Sequence, residues 1–185
     1  MLHQQKPQTR EKKNGGMSSA AIKRMVLTAL LFAAALVLTV VEYQMPIPMP
    51  VPGIKLGLSN IVVMYSLFFL RKRDALTLAV LKSLFVFLTR GFIAALLSFS
   101  GGVLSIVAMI FCMVIFKEKI SYLMVSIIGA VFHNFGQIVV VSMLYTNLLL
   151  WTYFPVLLVS AIITGTATSA LLRITLPALK KLHKI

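Results

Sequence analysis

The chain has 185 residues, 59% of them hydrophobic and 12% charged, with a mean hydropathy of +0.97. A soluble domain of this size carries about 25% charged residues, so a water-soluble fold is excluded. The net charge of +14 does not indicate a nucleic-acid partner, because the cations sit in short clusters between apolar runs, as they do when they set membrane topology.

Residues 1–22 are polar, basic and glycine-containing ("QKPQTREKKNGG") and read as a disordered cytoplasmic tail. A spanning helix needs about 20 largely apolar residues, and Met25–Tyr43 supplies the first. Its apolar core is longer than the roughly 7–15 residues of a secretion signal and no small-x-small site follows it, so it is kept as a helix. Next comes "MPIPMPVPG", in which Pro46, Pro48, Pro50 and Pro52 alternate with apolar residues ahead of Gly53. Each proline lacks a donor and clashes with the preceding turn, so this stretch is a loop. Alternating Pro-apolar residues favour an extended, polyproline-like strand with few unmet donors. Such a strand can lie as a lid in the apolar interface; the alternative is a tight connector resting on the helix ends.

Further helices are predicted over Ile54–Leu70, Ala75 to about Arg90, about Phe92–Phe116, Ile120–Tyr145 and about Leu148–Leu176, with a basic tail over 179–185. The break between the third and fourth is placed at Arg90-Gly91, since a break at Gly101-Gly102 leaves a fourth segment too short to span. Cys112 stands alone in an apolar run and reads as a packed membrane cysteine, which excludes a disulfide framework and a cysteine metal site within one chain. The expected fold is all-α, an integral membrane bundle of six transmembrane helices over residues 23–178. In that topology every Lys and Arg except Lys55, Lys82 and Arg90 falls on one side. The positive-inside rule makes that side, with both termini, cytoplasmic, and the membrane the plasma membrane.

Polar side chains inside the spans call for a reason, because an ionisable group within a bilayer is costly. At about 1.5 Å per residue, Glu42, Lys55, Asn60, Arg90, His133 and Gln137 all fall in the outer half of the membrane. Residues from separate helices at one depth suggest a shared pocket beneath the proline loop. On helix five, Ser126, Ala130, His133 and Gln137 recur at spacings of four, three and four and form one stripe, flanked by Asn134. Other readings stand beside this one. Glu42 and Lys55 can be interfacial anchors, Arg90 a loop residue, and His133 with Gln137 a hydrogen-bonded pair without a ligand. Lys82 reads as a side chain that snorkels to the cytoplasmic phosphates. A pocket holding Lys55 and Arg90 against Glu42 favours a solute with a carboxylate or phosphate.

Several chemistries lack their residues. There is no GxxxxGK[ST] loop, no acid pair within helical reach, and a single Asp, Asp74, placed in a loop. The clustered aspartates that hold magnesium-diphosphate in prenyl transfer are missing. His3 and His183 are far in sequence from His133, so a multi-histidine metal or haem site is not expected. Neither a cofactor nor a metal is expected, and catalysis ranks behind binding.

Ala29 and Ala33 on helix one form a small-xxx-small face, and Ala161, Gly165 and Ser169 on helix six form another. One can close the bundle while the other meets a partner. Six short helices, this AxxxA and the apolar lid resemble the substrate-binding S components of energy-coupling factor transporters. Specifically, "PGIKLGLSNIV", Gly101-Gly102 and "HNFGQ" are similar to the family known as Gx transporter or heptaprenyl diphosphate synthase component I, over roughly residues 25–176. The resemblance implies an S-component-like bundle, with docking through Ala29 and Ala33 on a transmembrane coupling subunit driven by ATPases. It also implies solute binding near Lys55, Gly57, Asn60, His133, Asn134, Gly136 and Gln137. The implied activity is uptake of a small, anionic, vitamin-like or isoprenoid- or quinone-related solute. The alternative it carries is a structural membrane subunit of a flavin- or quinone-linked electron-transfer or prenyl-quinone assembly.

Overall fold

The computed structural model describes residues 18–44, 58–116, 120–145 and 148–184. Within them lie six α-helices and no strand: α1 (Ser19–Gln44), α2 (Asn60–Phe69), α3 (Lys72–Arg90), α4 (Phe92–Phe116), α5 (Tyr122–Tyr145) and α6 (Phe154–Lys184). A short 3-10 helix, Leu148–Tyr153, leads into α6. Four stretches are long and apolar enough to cross a bilayer: Ser19–Gln44, Phe92–Phe116, Tyr122–Tyr145 and Trp151–Pro177. They make this a membrane-embedded protein. Of the six spans expected, α3 falls short because Lys72, Arg73, Asp74, Lys82 and Arg90 lie within its 19 residues. Only 10 residues of α2 are described, and the predicted start at Ile54, Lys55 and the lid residues Pro46, Pro48, Pro50, Pro52 and Gly53 lie outside the described residues.

The outer surface has the polarity of a hydrocarbon-facing one. Leu88, Ile174, Met143 and Phe111 are each at least two-thirds exposed, and large apolar side chains in that number are stable only against lipid. The centre is α2, where every residue from Ile61 to Leu67 is buried. A helix that is apolar all round belongs in the middle of a bundle. α2 packs against α1, α3 and α6, while α4 lies between α3 and α5 and α5 between α4 and α6.

The turns follow local chemistry. Gly91 ends α3 with φ at +86°, a left-handed conformation that glycine adopts without a Cβ clash, so the chain reverses at Arg90-Gly91 as expected. At the other end of α3, Asp74 lies in the first helical turn and not in a loop. Its carboxylate accepts the Arg71 backbone N–H at 3.2 Å and approaches Arg24 Nε on α1 at 3.8 Å. The same group therefore caps α3 and ties it to α1.

The two small-residue faces divide as their packing demands. On α6, Ala161 and Ser169 are buried, and a Cβ on Gly165 would come within 2.7 Å of Ile127 Cα on α5. This face closes the bundle. On α1 the buried stripe is Leu27, Leu31, Ala35, Thr39 and Glu42, and Ala29 and Ala33 are exposed on the opposite side. Gly165→Val is expected to cost about 1–3 kcal/mol by overpacking and to lower the apparent melting temperature of the micelle-solubilised protein by several degrees. Ala29→Leu is expected to leave it unchanged; equal melting of the two variants would contradict this division.

Candidate functional site

Lys82 is the eleventh residue of α3, about halfway along it, and its Nζ donates to Asn60 Oδ1 at 3.0 Å. Asn60 is the first residue of α2, so α2 begins at mid-depth in the bundle, level with the middle of α3. The expectation that Lys82 snorkels to the cytoplasmic phosphates is corrected by this bond: the ammonium turns inward to an amide oxygen.

Asn60 borders a small chamber of about 20 Å³ between α2, α4, α5 and α6. Its walls carry the hydroxyls of Ser105, Ser126, Thr164 and Thr168, together with His133 and Asn134. A second void of about 10 Å³ shares Asn60, Ser105 and Met109 with it and extends to Lys82 and Ser98. The larger is the size of one water, which needs about 10–15 Å³ and two to four polar partners. Most hydroxyls of the helices are satisfied within their own helix: Thr39 donates to Ala35 O, Ser83 to Ala79 O and Thr164 to Ala161 O. Ser126 Oγ differs. Its residue is only 4% exposed, it lines the chamber, and the oxygen has no hydrogen-bond partner among the described residues.

The stripe predicted on α5 faces this chamber: Ser126, Ala130 and His133 all line it. Gln137 is not among the lining residues but lies one turn further along, with its Nε2 3.3 Å from His133 Nε2. His133 is held from behind by α4, since a Cβ on Gly101 would meet the His133 carbonyl oxygen at 2.8 Å and its ring at 2.9 Å. Ser100 Oγ donates to Gly136 O at 3.3 Å, and a Cβ on Gly136 would touch the Ser100 carbonyl at 3.0 Å. The Gly101–Gly102 and His133–Gln137 segments therefore meet across one close helix crossing. Asn134 Nδ2 donates to Leu157 O at 3.1 Å and fixes α5 to the first turn of α6.

Glu42 and Arg90 belong to a different cluster. Glu42 is 5% exposed at the end of α1, and the guanidinium of Arg90 lies 4.1 Å from the ring centroid of the adjacent Tyr43, a cation–π contact. Neither residue lines the chamber. Of the residues expected in one pocket, the structure brings Asn60, His133 and Asn134 together with Gln137 behind them, sets Glu42 and Arg90 apart, and leaves Lys55 undescribed. Sequence reasoning missed Lys82, Ser105, Thr164 and Thr168. The signal was present: a lysine at the centre of a helix, and hydroxyls recurring four residues apart on an apolar one.

Residues 31–175 match the family model for heptaprenyl diphosphate synthase component I. The chain belongs to that family. No curated protein and no solved structure matches it. The name component I implies a partner subunit for members of the heptaprenyl diphosphate synthase component I family. Among the described residues, no three His, Cys, Asp or Glu side chains lie where they could hold a metal.

Asn60→Leu removes the acceptor to which the Lys82 ammonium donates. Asn60→Leu is therefore expected to destabilise the protein by about 1.5–3 kcal/mol. Asn60→Leu combined with Lys82→Met should recover most of that, because replacing both members of a hydrogen-bonded pair by apolar groups is often close to neutral. Thermal unfolding of the two single variants and the double variant checks it; strictly additive losses would contradict the pairing.

Proposed function

We propose that this chain is the solute-binding subunit of a membrane transporter of the energy-coupling factor type. It takes up a small anionic solute, vitamin-like or related to isoprenoids and quinones. The observation that carries the reading is the Lys82–Asn60 hydrogen bond beside a hydroxyl-lined chamber inside an otherwise apolar bundle. The lysine cation and the positive end of the α2 dipole lie at the same place. A carboxylate, phosphate or other acceptor-bearing group is the complement to that arrangement.

Asn60, Lys82, His133 and the chamber hydroxyls are the proposed solute-facing set, with Asn134 and Gln137 holding His133 and the α5–α6 crossing in register. Lys55 is proposed to complete the set from the loop side, and the proline segment 46–53 to serve as its lid. Glu42 and Arg90 are proposed to act at the α1–α3 end. A chamber of about 20 Å³ is far below the roughly 300–1,000 Å³ of a small-molecule pocket. Solute admission thus requires the α2 start to withdraw from α5 and α6. The positive-inside asymmetry supports cytoplasmic termini in the plasma membrane. The exposed Ala29–Ala33 face of α1 supports docking on a coupling subunit that works with ATPases.

A second reading is a structural membrane subunit of a prenyl-quinone or flavin-linked assembly, favoured by the component I of the family name. Both readings use a partner, and they differ in whether a solute is held. Mass spectrometry of small molecules retained by the purified chain is expected to detect an anionic solute, at least tenfold depleted in Lys82→Met and in His133→Ala. Retention of nothing beyond lipid, with a redox or prenyl-synthase partner recovered in place of ATPases, would favour the second reading. Ala29→Leu and Ala33→Leu are expected to abolish co-purification of the coupling subunit, and an intact complex would reject the docking face.

A further inference from the structure

Independently of the chamber, we infer that the end of the bundle carrying the α2–α3 turn holds a binding site for one anionic phospholipid. Between the first turns of α1 and the end of α2 runs a groove of about 670 Å³. Its walls are apolar along one side, through Val26, Leu30 and Phe69, and its mouth carries Lys23, Arg24 and Arg71. A volume of that order accommodates a drug-sized ligand, enough for a headgroup and the first part of an acyl chain. Val26 and Leu30 are both more than half exposed, so the acyl wall faces outward from the bundle, where lipid tails lie.

Charge selects the occupant. Arg24 is engaged with Asp74 at 3.8 Å, and that carboxylate is the one acid among the described residues at this end. Basic pockets between transmembrane helices at headgroup level recruit anionic lipid. The chain's own N-terminal segment is a poor occupant, because Lys6, Arg10, Lys12 and Lys13 outnumber its single acid, Glu11. A second copy brings the same excess of positive charge.

The test uses the full chain, purified in micelles with equal phosphatidylglycerol and phosphatidylcholine and measured by native mass spectrometry. Phosphatidylglycerol is expected to be retained several-fold over phosphatidylcholine. The preference should fall to near unity in the double variant Lys23→Gln/Arg71→Gln and persist in Arg73→Gln/Arg173→Gln, which removes two exposed charges outside the groove. Leu30→Trp, which fills the apolar wall and keeps every charge, should also reduce retention. The proposal is overturned by an absence of preference in the native chain, by equal loss in both charge pairs, or by full retention in Leu30→Trp. Displacement of the lipid by inorganic phosphate would make this a free-anion site. A dimer split by the groove variants would assign the groove to a second copy, and retention rising several-fold on deletion of residues 2–14 would assign it to the N-terminal segment.

Discussion

A cation at the middle of an apolar bundle constrains the rest of this protein. Lys82 needs polar partners at that depth, since a charge within a bilayer is costly. Its bond to Asn60 Oδ1 at 3.0 Å requires α2 to present its first residue at that level. A helix start leaves backbone N–H groups without intrahelical partners, so the surround has to be polar. The hydroxyls of Ser98, Ser105, Ser126, Thr164 and Thr168 supply that polarity while leaving the helices apolar outward. Lys82 and Asn60 together fix the level at which α2 begins, next to voids lined by hydroxyls of α4, α5 and α6.

Rigidity and availability are kept on different helices. α4, α5 and α6 are joined by contacts that no side chain could enter, at Gly101 against His133, Gly136 against Ser100 and Gly165 against Ile127. Packing at backbone distance is how helices associate where lipid offers no hydrophobic drive between them. α1 contains no glycine at all. It meets the bundle through a single stripe and a charged contact at each end, Arg24 with Asp74 and Tyr43 with Arg90. A helix attached in that way can keep its alanine face outward without weakening the core, so a partner can use the face at no structural expense.

Much of this was legible in the residues. The break at Arg90-Gly91 was readable because a fourth span starting at Gly101 would be too short, and Gly91 indeed takes the positive φ. The α5 stripe was readable because a four-three-four recurrence of small and polar residues has one geometric meaning on a helix, and Ser126, Ala130 and His133 face the chamber together. Along α3 alone, snorkelling is the reading Lys82 allows, whereas the competing acceptor comes from α2, which sequence distance does not bring near. Depth counting put Glu42 and Arg90 level with His133, but depth says nothing of azimuth, and the two lie on the α1–α3 side. An apolar count that starts at Ala75 leaves Asp74 in a loop, but helices recruit an acid in their first turn, and the apolar pattern begins after it.

The disposition of the carboxylates bears on what the family name can mean for this chain. Diphosphate chemistry with magnesium needs acids free to coordinate. Of the two carboxylates among the described residues, Asp74 is committed to the Arg71 backbone and to Arg24, and Glu42 is buried at the far end of α1. They lie near opposite ends of a 26-residue helix, which at about 1.5 Å per residue separates them by more than any metal bridge. The central groups are instead an ammonium, an amide, an imidazole and hydroxyls, a set that donates to oxygen acceptors and does not bind a divalent cation strongly. Such a set can hold or orient an anionic or oxygenated molecule in the membrane. That is the same physical task as solute binding, and it explains how one bundle suits both readings.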